Sequence, residues 1–269
     1  MSYQERRQKN ADVFADTQRW YTSDEKLGKA IRNSQQRTVL HGPEPIRVPE
    51  EALYRYEDKA RVLVSSDRTL QAAGKYRGQK VLVLNFASAT TPGGGVLWGS
   101  SAQEEALCRC STLYPCLTTD ALWNGYYRFH RDRQEDLYTD ACIYTPDVLS
   151  IKTDTVDPCR LPPEEWQTID VLTCAAPNLR EKSLDEAALY DLHVQRGRQI
   201  LAAAAVHGAD VVILGAFGCG AFRNPPRVVA SAYRQILPIF ARAFRTVEFA
   251  VYCSPRDDTN YRVFWEILK

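Results

Sequence analysis

The pattern of apolar and polar positions changes character near residue 60. Before that point, residues 2–21 and 24–38 read as polar helices, followed by a proline-marked connection, Gly42-Pro-Glu-Pro45 and Val48-Pro49. After it, short β-branched runs alternate with helical patterns. Residues 61–66, 81–87, 143–148, 171–175, 211–217 and 248–253 predict strands. Several are apolar throughout, as strands covered on both faces are. Residues 101–114, 184–207, 225–244 and 259–268 predict helices. This alternation implies a three-layer α/β/α domain with a mostly parallel sheet. Residues 150–164 and 177–184 read as surface connections. The division near residue 60 predicts a helical extension over residues 1–58, packed on a core domain of residues 59–269.

Two glycine-rich stretches follow predicted strands, where open α/β sheets bind ligands. In the first, Thr91-Pro-Gly-Gly-Gly95 precedes Val96-Leu-Trp-Gly-Ser-Ser-Ala102, and then Gln103-Glu104-Glu105 open a helix. Ser101 and Glu104 match a capping box, which would have Glu104 bonding the first amide of the helix. The functional alternative has Gly93, Gly94 and Gly95 passing bare backbone against a ligand, with Gln103, Glu104 and Glu105 reaching into the same cleft. Adjacent helical residues point about 100° apart. Two such glutamates do not flank one bond as the opposed carboxylates of a standard glycosidase do. One carboxyl acting as both acid and base, with the other holding sugar hydroxyls, suits the spacing. A helix amino terminus favours the carboxylate form, whereas an anionic substrate nearby favours the protonated one.

The second stretch is Val211-Val-Ile-Leu-Gly-Ala-Phe-Gly-Cys-Gly-Ala-Phe-Arg-Asn-Pro225. Its glycine order is neither the dinucleotide fingerprint nor a P-loop. Its mechanics are the same: exposed amides and a helix dipole aimed at an anion, or else a plain strand-to-helix turn. Asn224 suits an N-cap and Pro225 the first helical position.

Composition narrows the field. Lys plus Arg is 34 against 33 for Asp plus Glu, so the chain has no polyanion-coating surface overall and no direct nucleic-acid partner is expected. The first thirty residues lack a signal-peptide core, and no run approaches the ~20 apolar residues of a membrane helix. None of the eight cysteines shows Cys-x-x-Cys spacing. Cys108 and Cys110 would point about 200° apart on a helix. Reduced thiols in a cytoplasmic, monomeric protein without a metal or cofactor are expected. His41, His130, His193 and His207 are scattered. Arg223 either touches phosphate or is simply exposed. Asp67 contacts a base or caps the helix near Arg68. Trp98 shields the site or packs.

Together the two loops resemble the bacterial-type poly(ADP-ribose) glycohydrolases, which are built on a macrodomain with a mixed, mostly parallel sheet. The resemblance rests on Gly93-Gly94-Gly95, a seven-residue spacer and Gln103-Glu104-Glu105, together with Gly218-Cys219-Gly220-Ala221-Phe222; it spans roughly residues 60–255. Asn85-Phe-Ala87 and Tyr144-Thr-Pro-Asp147 add to it. It implies that Glu105 protonates the leaving 2′-oxygen of a ribose–ribose linkage and then activates water. Glu104 would bind hydroxyls of the adjoining riboses and Asn85 those of the ribose attacked, while Gln103 would orient the carboxylates. Gly93, Gly94, Gly95 and Val96 would wrap that ribose and its phosphate. Gly218, Cys219, Gly220 and Ala221 would cradle the diphosphate, with Phe222 against the neighbouring ribose or base. The implied substrate is poly(ADP-ribose), or a protein carrying it, and the product is ADP-ribose. A macrodomain that only binds ADP-ribose and a mono-ADP-ribosyl hydrolase are the alternatives.

Overall fold

The computed structural model describes residues 2–254 and 257–269. Seven strands, β1 (Val39–His41), β2 (Arg61–Ser65), β3 (Val81–Phe86), β4 (Cys142–Ser150), β5 (Gln167–Cys174), β6 (Val211–Leu214) and β7 (Thr246–Ala250), form one sheet in the order β1-β4-β5-β3-β6-β7-β2. The strands β5, β3, β6, β7 and β2 are parallel. Strand β4 runs antiparallel to both β5 and β1. The helices are α1 (Tyr3–Ser23), α2 (Glu25–Arg37), α3 (Glu50–Leu53), α4 (Thr69–Gly74), α5 (Gln103–Cys110), α6 (Leu113–Leu117), α7 (Asp120–Leu122), α8 (Arg128–Arg133), α9 (Glu186–Val206), α10 (Pro226–Ile236) and α11 (Thr259–Leu268).

The side-chain period of two along β3 explains the three layers. Leu82 and Leu84 face one core with alanines of α9, Val229 of α10 and Phe264 of α11. Val81 and Val83 face the other with Leu70 of α4, Leu107 of α5 and Phe14 of α1. A strand buried on both sides must be apolar at nearly every position, as β3 is. The α/β/α architecture with a mixed, mostly parallel sheet is therefore as expected.

Several boundaries differ. The helix expected over 101–114 stops at Cys110, and a second helix starts at Leu113. The helix expected over 225–244 ends at Ile236 and continues only as a 3₁₀ turn, Leu237–Phe240. Residues 150–164 are not all surface, because Ile151, Lys152 and Asp154 are buried. Strand β1 was not expected; it adds residues 39–41 to the sheet edge.

The two amino-terminal helices begin where the sequence says. Ser2 caps α1 in a capping box with Glu5, and Asp24 caps α2 through Lys26 N and Leu27 N. Helix α1 crosses the helix that carries the glutamates. Its Phe14 is 1% exposed and meets the Tyr114 ring edge-on at 4.9 Å, a burial that contributes about 2 kcal/mol. Thr17 Oγ1 donates to Arg109 O at 2.6 Å, and Lys152 Nζ donates to Val13 O at 2.8 Å. Among the described residues no helix is long and apolar enough to cross a membrane.

Candidate active site

Strands β3 and β6 are neighbours at the middle of the sheet, so the loops leaving their carboxyl ends open onto one cleft. The cleft has a volume of about 350 Å³. Phe86, Gln103 and Ala106 line one side and Gly218, Gly220, Ala221 and Phe222 the other, with Arg68, Asp154 and Tyr252 farther along.

The capping box expected at Ser101 does not form. Ala102 is the N-cap of α5 and makes no side-chain bond. Glu104 turns inward instead. Its Oε2 accepts from Ser88 N at 2.7 Å, and Asn85 Nδ2 lies 3.4 Å from its Oε1. Glu105 Oε1 accepts from Gly95 N at 2.9 Å. Both carboxyl groups are buried, at 3% and 7% exposure. Three buried atoms here have no hydrogen-bond partner among the described residues: Glu105 Oε2, Asn85 Oδ1 and Arg109 Nε. A buried polar atom without a partner costs free energy, and such atoms mark where a ligand completes the bonding.

The glycines serve the carboxylates directly. Gly93 and Gly94 have φ of +69° and +57°. A Cβ on Gly94 would stand 2.5 Å from Glu105 Oε1, one on Gly93 would stand 2.7 Å from the Tyr114 ring, and one on Gly95 would collide with Ser100 Oγ. Gly94 and Gly95 thus lie tightly against Glu105, and Gly93 against Tyr114. Val96 is wholly buried, so its side chain belongs to the core. Gln103 does not touch either carboxylate. Its Oε1 accepts from Phe86 N at 2.9 Å and its Nε2 donates to Leu84 O at 2.7 Å, which ties the start of α5 to the end of β3.

Burial and the neighbouring Glu105 carboxylate push the Glu104 pKa up to about 8, although the Ser88 amide opposes the shift. Burial thus favours the protonated form of Glu104. Arg109, one turn beyond Glu105, is itself buried, and its guanidinium donates to Ser100 O at 2.5 Å.

In the second loop, Gly218 has φ +77°, and a Cβ there would come within 2.6 Å of both Ala176 Cβ and Asn224 Nδ2. Around Gly220 there is open space. The amides of Gly220, Ala221 and Phe222 find no acceptor among the described residues. They are the donors an anion needs. Asn224 is not the N-cap of α10, a position held by Pro225, with Pro226 as the first helical residue. Asn224 instead fastens the loop: its Nδ2 donates to Pro177 O at 2.8 Å and to Gly218 O at 3.1 Å, and its Oδ1 bonds His193 Nε2 at 2.8 Å. Arg180 Nε donates to Ala221 O at 2.7 Å, and its guanidinium lies 5.4 Å from the centre of the Phe222 ring. The Cys219 thiol is pushed up to about 12 by burial, so it stays protonated.

At the far end, Arg68 lies over the Tyr252 ring at 4.1 Å, and the buried Asp154 accepts from Leu70 N at 3.1 Å. Asp154 thus caps the start of α4, the role considered for Asp67, which pairs with Lys75 instead. His41 and His207 lie away from the cleft, bonded to each other through their Nε2 atoms at 2.8 Å.

A buried carboxyl pair at the start of α5, behind the Gln103 and Ala106 wall of the cleft, and a turn with free amides after β6, on neighbouring strands of an α/β/α sandwich, are the features of a glycosidase of the macrodomain type. The comparisons agree. The family model of the microbial-type PARG catalytic domain matches residues 12–153, a span that takes in most of α1, the glycine triplet and both glutamates. The chain is similar to the poly(ADP-ribose) glycohydrolase of Thermomonospora curvata, with 30% identity, TM-score 0.84 and coverage of 97% of this chain and 99% of that one. The same protein bound to the inhibitor ADP-HPD gives TM-score 0.83 at 30% identity over 97% and 99% of the two chains. The poly(ADP-ribose) glycohydrolase of Deinococcus radiodurans in complex with ADP-ribose matches with 32% identity and TM-score 0.75, covering 88% of this chain and 96% of that one. No curated protein sequence matches significantly. The chain belongs to the microbial-type PARG family, the poly(ADP-ribose) glycohydrolases.

Proposed function

We propose that Glu105 is first the general acid and then the general base in hydrolysis of the ribose–ribose O-glycosidic bond, with the terminal ADP-ribose unit held between the two glycine loops. By family the chain is a glycosidase, a poly(ADP-ribose) glycohydrolase. The observation that carries the role of Glu105 is its Oε2 atom, buried and without a hydrogen-bond partner among the described residues, while Oε1 is fixed by the Gly95 amide. Both oxygens of Glu104, by contrast, have donors at hand.

In this reading the Glu105 carboxyl gives its proton to the 2′-oxygen as the bond from that oxygen to the anomeric carbon breaks. The attacked ribose takes on oxocarbenium character. Water then bonds the anomeric carbon and returns a proton to Glu105, leaving ADP-ribose and a chain end with a free 2′-hydroxyl. Asn85 Oδ1 accepts from a hydroxyl of the attacked ribose. Burial favours the protonated form of Glu104, a form that binds further hydroxyls without adding negative charge beside the substrate. The amides of Gly220, Ala221 and Phe222 hold the diphosphate at the start of α10. The ADP-ribose and ADP-HPD bound by the two relatives are ligands of this class. The same reading has a monomer acting in the cytoplasm on poly(ADP-ribose) chains or the proteins that carry them.

The test is incubation with labelled poly(ADP-ribose), resolved on a gel. Wild type should release ADP-ribose, and Glu105→Gln should lose about 10²–10⁴-fold in rate while still binding ADP-ribose. Polymer left intact by the wild type would overturn the proposal, as would a Glu105→Gln variant that cuts at the wild-type rate.

A further inference from the structure

The spacer between the glycine triplet and the glutamates carries two exposed apolar side chains, Leu97 at 51% and Trp98 at 72%. They stand on a 3₁₀ turn, Val96–Trp98. The turn is firmly mounted. Trp98 N donates to Gly95 O at 3.0 Å. Arg7 Nε donates to Trp98 O at 2.9 Å, and Asn10 Nδ2 donates to Gly99 O at 3.0 Å. Gly99, at φ +72°, lies so close to the Arg7 carbonyl that a Cβ there would collide with it. Helix α1 thus grips the backbone of the turn from behind and leaves the indole bare.

This turn begins at Gly95, whose amide holds Glu105 Oε1 at 2.9 Å. Three residues of 3₁₀ helix rise about 6 Å, so the Trp98 backbone is one short turn from the residue that holds the acid. An acid that protonates the leaving oxygen must have the leaving group on its own side of the breaking bond. In a ribose–ribose linkage that oxygen sits on an adenosine sugar, at the carbon next to the one bearing the base. The purine therefore arrives on the Glu105 side of the breaking bond, and the exposed Trp98 follows within one short turn of the amide that holds that carboxyl group. Arg7 adds a positive charge beside it, suited to the diphosphate that continues from that adenosine.

Resting on the role given to Glu105, we propose that Trp98 is the stacking platform for the leaving adenosine unit, a subsite separate from the cleft that holds the terminal ADP-ribose. Every purine has a π-face, so the contact needs no hydrogen-bond readout. The subsite also gives α1 a function, since it fixes the backbone that carries the ring.

The test compares two probes: the ADP-ribose dimer, whose leaving group carries adenosine, and 1″-O-methyl ADP-ribose, whose leaving group is methanol. The quantity read is the ratio of kcat/KM for the dimer to that for the methyl glycoside. Trp98→Ala should lower this ratio about tenfold, and Trp98→Phe should restore most of it. A ratio within about twofold of wild type in Trp98→Ala would overturn the subsite, including the case in which both substrates slow equally because the turn itself has shifted. A wild type inert on both probes would remove the acid role of Glu105, and the subsite with it.

Discussion

Gly94→Ala separates the chemistry of the site from the stability of the fold. Gly94 has φ +57°, a left-handed conformation that costs an alanine about 1–2 kcal/mol. Its new Cβ would stand 2.5 Å from Glu105 Oε1 and 3.0 Å from Glu104 Oε2. Carbon and oxygen rest at roughly 3.3 Å or more. The Glu105 oxygen must therefore retreat by about 0.8 Å, and because it ends a flexible side chain it can do so without unfolding anything. That retreat disturbs the 2.9 Å bond from Gly95 N and moves the Glu105 carboxyl group from the place proposed for the acid. A displacement near 1 Å at a reacting group costs about 10²-fold in rate. Thermal melting and polymer cleavage measured on the same preparation should show a Tm lowered by about 2–8 °C and a rate lowered about a hundredfold. A fully folded variant that keeps more than half the wild-type rate would refute the claim that the triplet positions Glu105.

Three further outcomes follow from other contacts. Gly99→Ala meets rigid backbone, the Arg7 carbonyl, and should lower Tm more than Gly94→Ala although it makes no carboxylate contact; a smaller drop in melting would contradict the mount described for α1. The folded pKa of Glu104 is raised from 4.5 to about 8, so the native state holds a proton that the unfolded chain has lost, and stability should fall as pH rises through that window. Glu104→Gln should flatten this fall in urea unfolding between pH 5 and pH 9, and parallel profiles would count against a neutral Glu104. His193 is lowered from 6.5 to about 4, chiefly by burial, so the unfolded chain takes up a proton that the fold resists. Its share of stability is present above pH 6.5 and fades by about 3 kcal/mol as pH falls to 4. His193→Gln should unfold with a shallower acid slope, and an unchanged slope would show that the histidine titrates normally.

Much of this was legible in the sequence. The β-branched runs became strands because a strand covered on both faces has to be apolar, and the two glycine loops stand at the ends of neighbouring central strands. Local rules failed where a distant partner won. Ser101 and Glu104 have capping-box spacing, but the amide of Ser88 and the amide side chain of Asn85 draw the Glu104 carboxylate inward. Asn224 has N-cap chemistry, yet Pro177, Gly218 and His193 recruit it to brace the second glycine loop. His193 and Asp154 looked unremarkable because their partners lie 31 and 84 residues away. Strand β1 escaped notice because three half-exposed residues leave no periodic signal, and only the free edge of β4 makes them a strand.

The most direct measurement of the central claim is the crystal structure of this chain with ADP-ribose bound. The anomeric hydroxyl of the terminal ribose should lie about 2.6–3.2 Å from Glu105 Oε2, with the diphosphate on the amides of Gly220, Ala221 and Phe222. A ribose whose anomeric carbon points away from Glu105, or a diphosphate that rests elsewhere, would contradict it.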